Sequence, residues 1–381
     1  MKYTQQKILI YYSIFNLGGA ERSTSKLITK LLDKGFSVEV LLIANGGEFQ
    51  NEIDARAQVN WLRSGNFGVK YAENKGVLKF LYLLLYTLTR IEEFLKGFVY
   101  KFKSYKTVII GLHGLSPKFC LKNIKADRYI QFIRSDLKSC DTNHKAQNQI
   151  KKYSKFIDNY VCVSETALDS FCELFPNLKE KGKKIYNLLQ SEIIQEKSKE
   201  NIKDPSWSKE NVNILTVCRI QEKSKGAFRM AEILKELLKQ GYLIKWFVIG
   251  DGIDFEKLQE YIIKLNLENK MILLGSKPNP YPYFVRADLV AVLSYYEGFC
   301  GVVNEAKILE RPLVATEFSG IREQIENGVN GFVFENNFES IVDGMKRVLE
   351  NDSDFKVTAI NGMPNNIIND NYKVEQLIAL F

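Results

Sequence analysis

The chain reads as α/β, with two doubly wound, Rossmann-like domains facing each other across a cleft. Three observations predict this. Strand-like and helix-like runs alternate along nearly all of it, the pattern of a parallel sheet whose strands are joined by helical crossovers. At 381 residues it is too long for one ordinary hydrophobic core. A polar, charged stretch at 191–211, interrupted by Pro205, separates two such alternating series. The expected division is therefore 1–190, a linker at 191–211, a second domain at 212–355, and a C-terminal helical segment at 356–381 returning towards the first domain. Domains of this kind bind ligands at the carboxyl ends of their strands.

In the first series, KILIYY (Lys7 to Tyr12) leads through Gly18-Gly19 into an amphipathic helix ending near Lys34. Gly35 suits the left-handed position that closes a helix. VEVLLI follows as a strand, and Thr107 to Ile110, Tyr129 to Ile133 and Tyr160 to Val163 are further strands. The second series opens with NILTVCRI, then a helix from Ala227 to Gln240 closed by Gly241, then IKWFVIGDG. A helix over Phe255 to Leu265, the strand MILLG, a short helix over Tyr283 to Arg286 and the strand DLVAVL come next. PLVAT, a short helix near Ile321 to Glu326, GFVFE and a helix over Phe338 to Leu349 complete the unit.

Composition limits the chemistry. A hydrophobic content of 45% and a charged content of 26% are those of a soluble globular protein. The net charge of +8 suits an anionic substrate or an anionic membrane surface and is too small to call for nucleic acid. Six cysteines include no CxxC pair, which signals neither a zinc site nor a redox motif and fits a reducing, cytoplasmic setting. With only His113 and His144, a histidine-rich metal centre is ruled out on supply. The N-terminus runs straight into a strand without signal-peptide architecture.

One apolar segment, Val77 to Phe102, stands apart. Its uncharged core, Phe80 to Thr89, falls well short of the roughly 20 residues of a membrane-spanning helix. Phe80, Leu84, Leu88, Ile91, Leu95 and Phe98 recur at helical spacing, so an amphipathic helix is expected. The plainer reading has it covering the sheet. The alternative uses the flanking Lys70, Lys75, Lys79, Lys96, Lys101, Lys103 and Lys106 to rest it on an anionic bilayer.

The chemistry concentrates in SYYEGFCGVVNEA, which begins at Ser294. Glu297 and Glu305 stand eight positions apart with Gly298 and Gly301 between them, after one strand and into the next helix. Such a strand, turn and helix start points N–H groups and the positive helix end at an anion while two acids reach hydroxyls. Surface acids, or the acid/base pair of a glycosidase, are the competing readings. Arg219 and Lys225 follow the strand NILTVC, with Gly226 opening the next helix, and could neutralise a diphosphate without a metal. Gly18 and Gly19 sit in the first strand-to-helix turn, and GDG at Gly250 to Gly252 ends another strand, as a structural turn or near a nucleotide. KPNPYPYFVRAD, from Lys277, stiffens a loop with three prolines.

Taken in order, GGAE at Gly18, Arg219 with Lys225, GDG at Gly250, NPYPYF at Asn279, ADL at Ala287, E-x7-E from Glu297 to Glu305, and RPLVATEFSG followed by NGVNGFVFE resemble the retaining family 4 glycosyltransferases of the GT-B fold. The resemblance is strong over Asn213 to Phe334 and weaker over Lys7 to Val163. It implies transfer of a hexosyl unit from a nucleoside-diphosphate sugar, UDP-linked, to a glycan or lipid-linked acceptor in surface-polysaccharide synthesis. Arg219 and Lys225 would hold the diphosphate and stabilise the leaving group. Glu305 would bind the ribose and Glu297 the donor sugar, with the amides of Phe299, Cys300, Gly301 and Val302 supporting sugar and phosphate. Ser164, Glu165 and Asn187 match positions near the cleft. The resemblance implies no cofactor beyond the donor, no metal, and work at the inner face of the cell membrane.

Two positions depart from the family. Many relatives carry a histidine after the strand equivalent to YIQFI; here Arg134 stands there, and His113 is an alternative. Cys300 takes a place usually held by Gly or Pro. A catalytically silent nucleotide-sugar-binding subunit and a sugar-nucleotide epimerase of the same fold are the rival functions.

Overall fold

A computed structural model describes residues 6–16, 18–65, 67, 75–141, 143–202, 207, 210–297, 299–350 and 365–381. Gly298, Lys70 and Pro205 lie outside them. The chain forms two compact units, Met1–Leu188 with Asn369–Phe381, and Leu189–Ile368.

Unit 1 is a seven-stranded sheet in the order β3-β2-β1-β4-β5-β6-β7. Its strands are β1 (Lys7–Tyr12), β2 (Ser37–Ala44), β3 (Gln58–Arg63), β4 (Ser104–Ile110), β5 (Lys125–Ile133), β6 (Asn159–Cys162) and β7 (Gly182–Lys184). Every pairing is parallel; Ile8, for example, faces Val38 on one side and Thr107 on the other. The strand order reverses between β1 and β4, which opens the crevice where a doubly wound sheet binds ligands. Helix α1 (Gly19–Asp33) crosses from β1 to β2, burying Leu27, Ile28 and Leu31. Gly35 ends it at φ 93°, the left-handed conformation expected of it. Leu9, Val108, Ile133, Tyr160 and Phe171 form part of the core.

Helix α2 (Gly76–Tyr100) is the apolar helix expected from the sequence, but it does not cover the sheet with its apolar face. Only Thr89, Gly97 and Tyr100 of α2 are buried, while Phe80, Leu84, Leu88, Ile91, Leu95 and Phe98 are all exposed. Helical spacing reveals a stripe but not the medium it faces, and here the opposite, narrower face packs on the protein. Its C-terminal end is fixed by a buried carboxylate. Glu39 on β2 accepts from Tyr100 Oη at 2.5 Å, Tyr105 Oη at 2.7 Å, Asn60 Nδ2 at 2.9 Å and Lys103 Nζ at 3.0 Å. Burial raises the pKa of Glu39, and these donors more than offset that, holding it below the usual carboxylate value.

Unit 2 is a six-stranded, all-parallel sheet in the order β10-β9-β8-β11-β12-β13. The strands are β8 (Val212–Val217), β9 (Ile244–Ile249), β10 (Met271–Gly275), β11 (Leu289–Val292), β12 (Leu313–Thr316) and β13 (Phe332–Phe334). Its reversal lies between β8 and β11, where Leu289 faces Ile214. Trp246 is fully buried among Ile214, Leu234 and Ala291, and its indole N–H donates to Thr216 Oγ1 at 3.0 Å.

The segment expected to be a linker, 191–211, begins with helix α4 (Ser191–Lys197). This helix packs on α6 (Tyr281–Arg286) and on α7 (Gly301–Ile308), so unit 2 starts at Leu189 rather than after a linker. Polarity misled the sequence reading, since α4 buries only Ile194. At the other end, 365–368 stays with unit 2, whereas Asn369–Phe381, including helix α9 (Asp370–Ile378), belongs to unit 1.

Candidate active site

Both sheets carry their polar clusters at the points where strand order reverses. In unit 2, Arg219 and Lys225 follow β8, and Ser294 and Glu297 follow β11, the neighbouring strand. The two loops are stitched together, since the N–H groups of Tyr295 and Tyr296 donate to Ser224 O at 2.8 and 3.2 Å. Lys225 forms an ion pair with Glu297, and Glu297 also accepts from Ser294 Oγ at 3.0 Å. Burial would lower the Lys225 pKa, and the Glu297 carboxylate more than offsets it, so the ammonium is held firmly charged. Arg219 is exposed beside this pair in the chain. Lys225, Glu297, Cys218, Leu293, Ser294 and Cys300 line a cavity of about 10 Å³, the size of a single water.

Helix α7 opens at Gly301, and no side chain caps its N-terminus. A Cβ at Gly301 would meet no atom within 4 Å, so packing does not demand glycine there. Glu305, one turn in, is buried at 7% exposure, with Tyr281 Oη 3.5 Å away. Phe299 and Cys300 are buried as well. Burial pushes the Cys300 thiol up, reinforced by the Glu297 carboxylate, which leaves it neutral.

Sequence reading missed the residues that hold this turn. Gln324, at the end of the short helix α8 (Ile321–Gln324) and 1% exposed, grips Cys300 from both sides. Its Oε1 accepts from the Cys300 N–H at 3.0 Å, and its Nε2 donates to Cys300 O at 2.8 Å and Asn304 Oδ1 at 2.9 Å. The Cys300 amide is therefore already engaged, which removes it from the donors foreseen for a ligand. Buried Lys307 donates to Gln324 O, and burial lowers its pKa to about 8. Arg229 donates to Leu293 O and to Asn336 Oδ1 at 2.6 Å and lies over the Tyr295 ring, 3.9 Å from its centroid. Thr316 Oγ1 donates to Ser294 O at 2.6 Å. Each of these partners is distant in sequence, and no local motif marks them.

Gly250 has a packing explanation. At φ 145° its Cβ would fall 1.8 Å from Cys218 O, so the ends of β8 and β9 meet only because no side chain is present.

In unit 1, α1 starts without a side-chain cap after Gly18, and a Cβ at Gly19 would again meet nothing within 4 Å. Arg134 is bound into the frame of this turn. Its Nε donates to Gly111 O at 3.1 Å, Nη1 to Asn187 Oδ1 at 2.7 Å and Nη2 to Thr24 Oγ1 at 2.9 Å. The guanidinium also lies 4.4 Å from the Phe132 ring centroid. Asn187 Oδ1 accepts from Ser23 Oγ at 3.0 Å too, and Asn187 O accepts from the buried Lys373 of α9 at 2.8 Å. His113 accepts the Arg134 N–H at Nδ1, 3.2 Å away, and burial lowers its pKa, so the neutral ring carries its proton on Nε2. Ser164 caps the helix Glu165–Leu174 through the Ala167 N–H, and Glu165 pairs with Lys184.

Solved structures share this architecture. Anabaena HepE, crystallised with UDP-glucose, superposes with a TM-score of 0.74 over 99% of this chain and 100% of its own, at 18% identity. Staphylococcus aureus TarM gives 0.70 over 99% of each chain, at 14% identity. The fold is that of the GT-B glycosyltransferases. Residues 197–373 match the family model of glycosyl transferases group 1. Over 366 residues, 91% of each chain, the sequence is 26% identical to N-acetylgalactosamine-N,N'-diacetylbacillosaminyl-diphospho-undecaprenol 4-alpha-N-acetylgalactosaminyltransferase of Campylobacter jejuni.

Proposed function

We propose that this protein is a retaining, metal-independent glycosyltransferase that moves a hexosyl unit from a UDP-sugar to a lipid-linked glycan acceptor in surface-polysaccharide synthesis, at the inner face of the cell membrane. The observation that carries the reading is the Lys225–Glu297 pair beside the uncapped start of α7, at the reversal of strand order in unit 2. A donor lying along the carboxyl edge of the sheet would set its diphosphate between Lys225, Arg219 and the Gly301 end of α7. Its ribose would lie at Glu305 and its sugar at Glu297. Gly301 and Gly19 stand at open helix starts where the protein itself leaves room for a side chain, which fits close approach of a ligand to backbone.

The chemistry follows from charge. Departure of UDP builds negative charge on the β-phosphate, and the Lys225 ammonium, held by Glu297, together with the exposed Arg219 guanidinium would stabilise it more in the transition state than in the bound donor. Glu297 is paired with a cation and already accepts from Ser294, which suits hydroxyl recognition better than proton abstraction. The leaving phosphate oxygen then serves as base to the acceptor hydroxyl on the same face of the sugar, and configuration is retained. The similarity to the Campylobacter enzyme, whose name specifies a diphospho-undecaprenol acceptor, supports a lipid-carried acceptor.

The test is slow hydrolysis of UDP-, GDP- and ADP-sugars with and without EDTA, in wild type and Glu305→Ala. Turnover of a UDP-sugar that survives EDTA and falls sharply in the variant is expected. Turnover lost in EDTA overturns the metal-free mechanism. Donor binding with no turnover, even with lipid-linked acceptor present, favours a silent nucleotide-sugar-binding subunit.

A further inference from the structure

Helix α2 presents an apolar face that nothing in the described structure covers. Phe94 is 75% exposed, and Phe80, Leu84, Leu88, Ile91 and Phe98 are more than half exposed along the same side. At 1.5 Å per residue its 25 residues make a rod about 37 Å long. The face opposite carries the buried contacts of Thr89, Gly97 and Tyr100, so the exposed stripe is no part of the core. No helix among the described residues is long and apolar enough to cross a membrane.

Charge decides what covers it. Between residues 75 and 106, Lys75, Lys79, Arg90, Lys96, Lys101, Lys103 and Lys106 oppose Glu92 and Glu93 in the segment, a net +5, and Glu39 and Asp127, paired with Lys103 and Lys106, bring the local balance to +3. Most of these cations cluster at the two ends, leaving Phe80 to Thr89 uncharged. A second copy docking through this face would bring two such basic segments together and be repelled. An anionic bilayer neutralises them, with aromatic and aliphatic side chains entering between the headgroups and lysines meeting phosphates.

We propose that α2 is the membrane-docking element of this protein, lying flat in the headgroup region of an anionic bilayer with its Phe80–Phe102 stripe inward. This deepens the transferase reading by naming the lipid surface on which a lipid-carried acceptor would be met. Glu39, locked to Tyr100, Lys103 and Tyr105, fixes the angle at which the helix leaves unit 1.

The experiment is flotation of the full chain with vesicles of phosphatidylcholine alone and of phosphatidylcholine mixed with phosphatidylglycerol. Wild type, Leu84→Gln/Phe94→Gln/Phe98→Gln and Lys75→Glu/Lys101→Glu are compared, with donor hydrolysis measured on each. Since the substituted side chains are exposed, folding and donor hydrolysis are expected to stay as in wild type. Wild type should bind the mixed vesicles, and each variant should partition at least about tenfold more weakly. Equal binding to both vesicle types, unchanged binding by the triple variant, or a concentration-dependent dimer that the triple variant abolishes overturns the proposal. Loss of vesicle binding with donor hydrolysis intact leaves the transferase reading standing, and the reverse outcome separates the two in the other direction.

Discussion

Lys225 balances Glu297 and, on the proposed reading, also faces the leaving phosphate, and one substitution series separates the two roles. In Lys225→Met the Glu297 carboxylate keeps Ser294 Oγ at 3.0 Å but loses its counter-charge. Breaking a fully buried pair costs about 3–5 kcal/mol. With side-chain exposures of 19% and 16%, water relieves part of that, and about 2 kcal/mol is expected. If Lys225 faces the leaving phosphate as proposed, donor turnover should fall further, by about a hundredfold or more. The assay is urea unfolding together with UDP-sugar hydrolysis for Lys225→Met, Glu297→Gln and the double variant. Neutralising Glu297 in the double variant should restore most of the stability and none of the Lys225 contribution to turnover. If the double variant turns over donor as fast as Glu297→Gln alone, Lys225 merely balances Glu297 and its role on the phosphate is refuted.

Gln324→Leu leaves the Cys300 N–H and O and Asn304 Oδ1 without their partner. About 2–4 kcal/mol of stability should be lost by urea unfolding, and UDP affinity should fall by calorimetry as the start of α7 loosens; wild-type UDP affinity in this variant would remove Gln324 from the site's support. For Glu39, whose folded pKa is depressed, the stabilisation is present above the unfolded value of about 4.3 and lost as pH falls through the folded value. Glu39→Gln should therefore cost about 2 kcal/mol near neutral pH and progressively less in acid, followed by unfolding at a series of pH values. Lys307 is the opposite case, a cation with a folded pKa near 8 against about 10.4 unfolded. Between those values the unfolded chain binds more protons, so stability of wild type relative to Lys307→Met should rise by about 3 kcal/mol from pH 8 to 10.4, and a flat difference would place the ammonium in water.

Much of the fold was legible because its signals are local. Apolar runs bounded by glycines located the strands of both switch points, and Gly35 and Gly241 closed their helices as read, at φ 93° and 92°. Strand β3 and the short β7 escaped, since QVNWLR and GKK carry too little apolar pattern to stand out. Helix α4 escaped for the same reason: it is polar, yet it packs on α6 and α7. At the site, Lys225 and Glu297 were found by their spacing from strands and glycines, and the structure brings them into contact across 72 residues. Arg134 was identified as a departure worth noticing, but its partners, Gly111, Asn187 and Thr24, come from three other segments.

The sequence by itself determined the alternation of strand and helix, the two-unit plan, the strand that precedes Glu297 and the helix that carries Glu305, because hydrophobic period and glycine act over a few residues. Only the tertiary structure decided which face of α2 meets water, that Gln324 and Lys307 hold the Cys300 turn, and that Asn369–Phe381 completes unit 1. Those outcomes depend on which distant groups share a buried, low-dielectric neighbourhood, where an unpaired amide or charge is costly and must find a partner. That pairing is set by the strand order β10-β9-β8-β11-β12-β13, a long-range property no short segment carries.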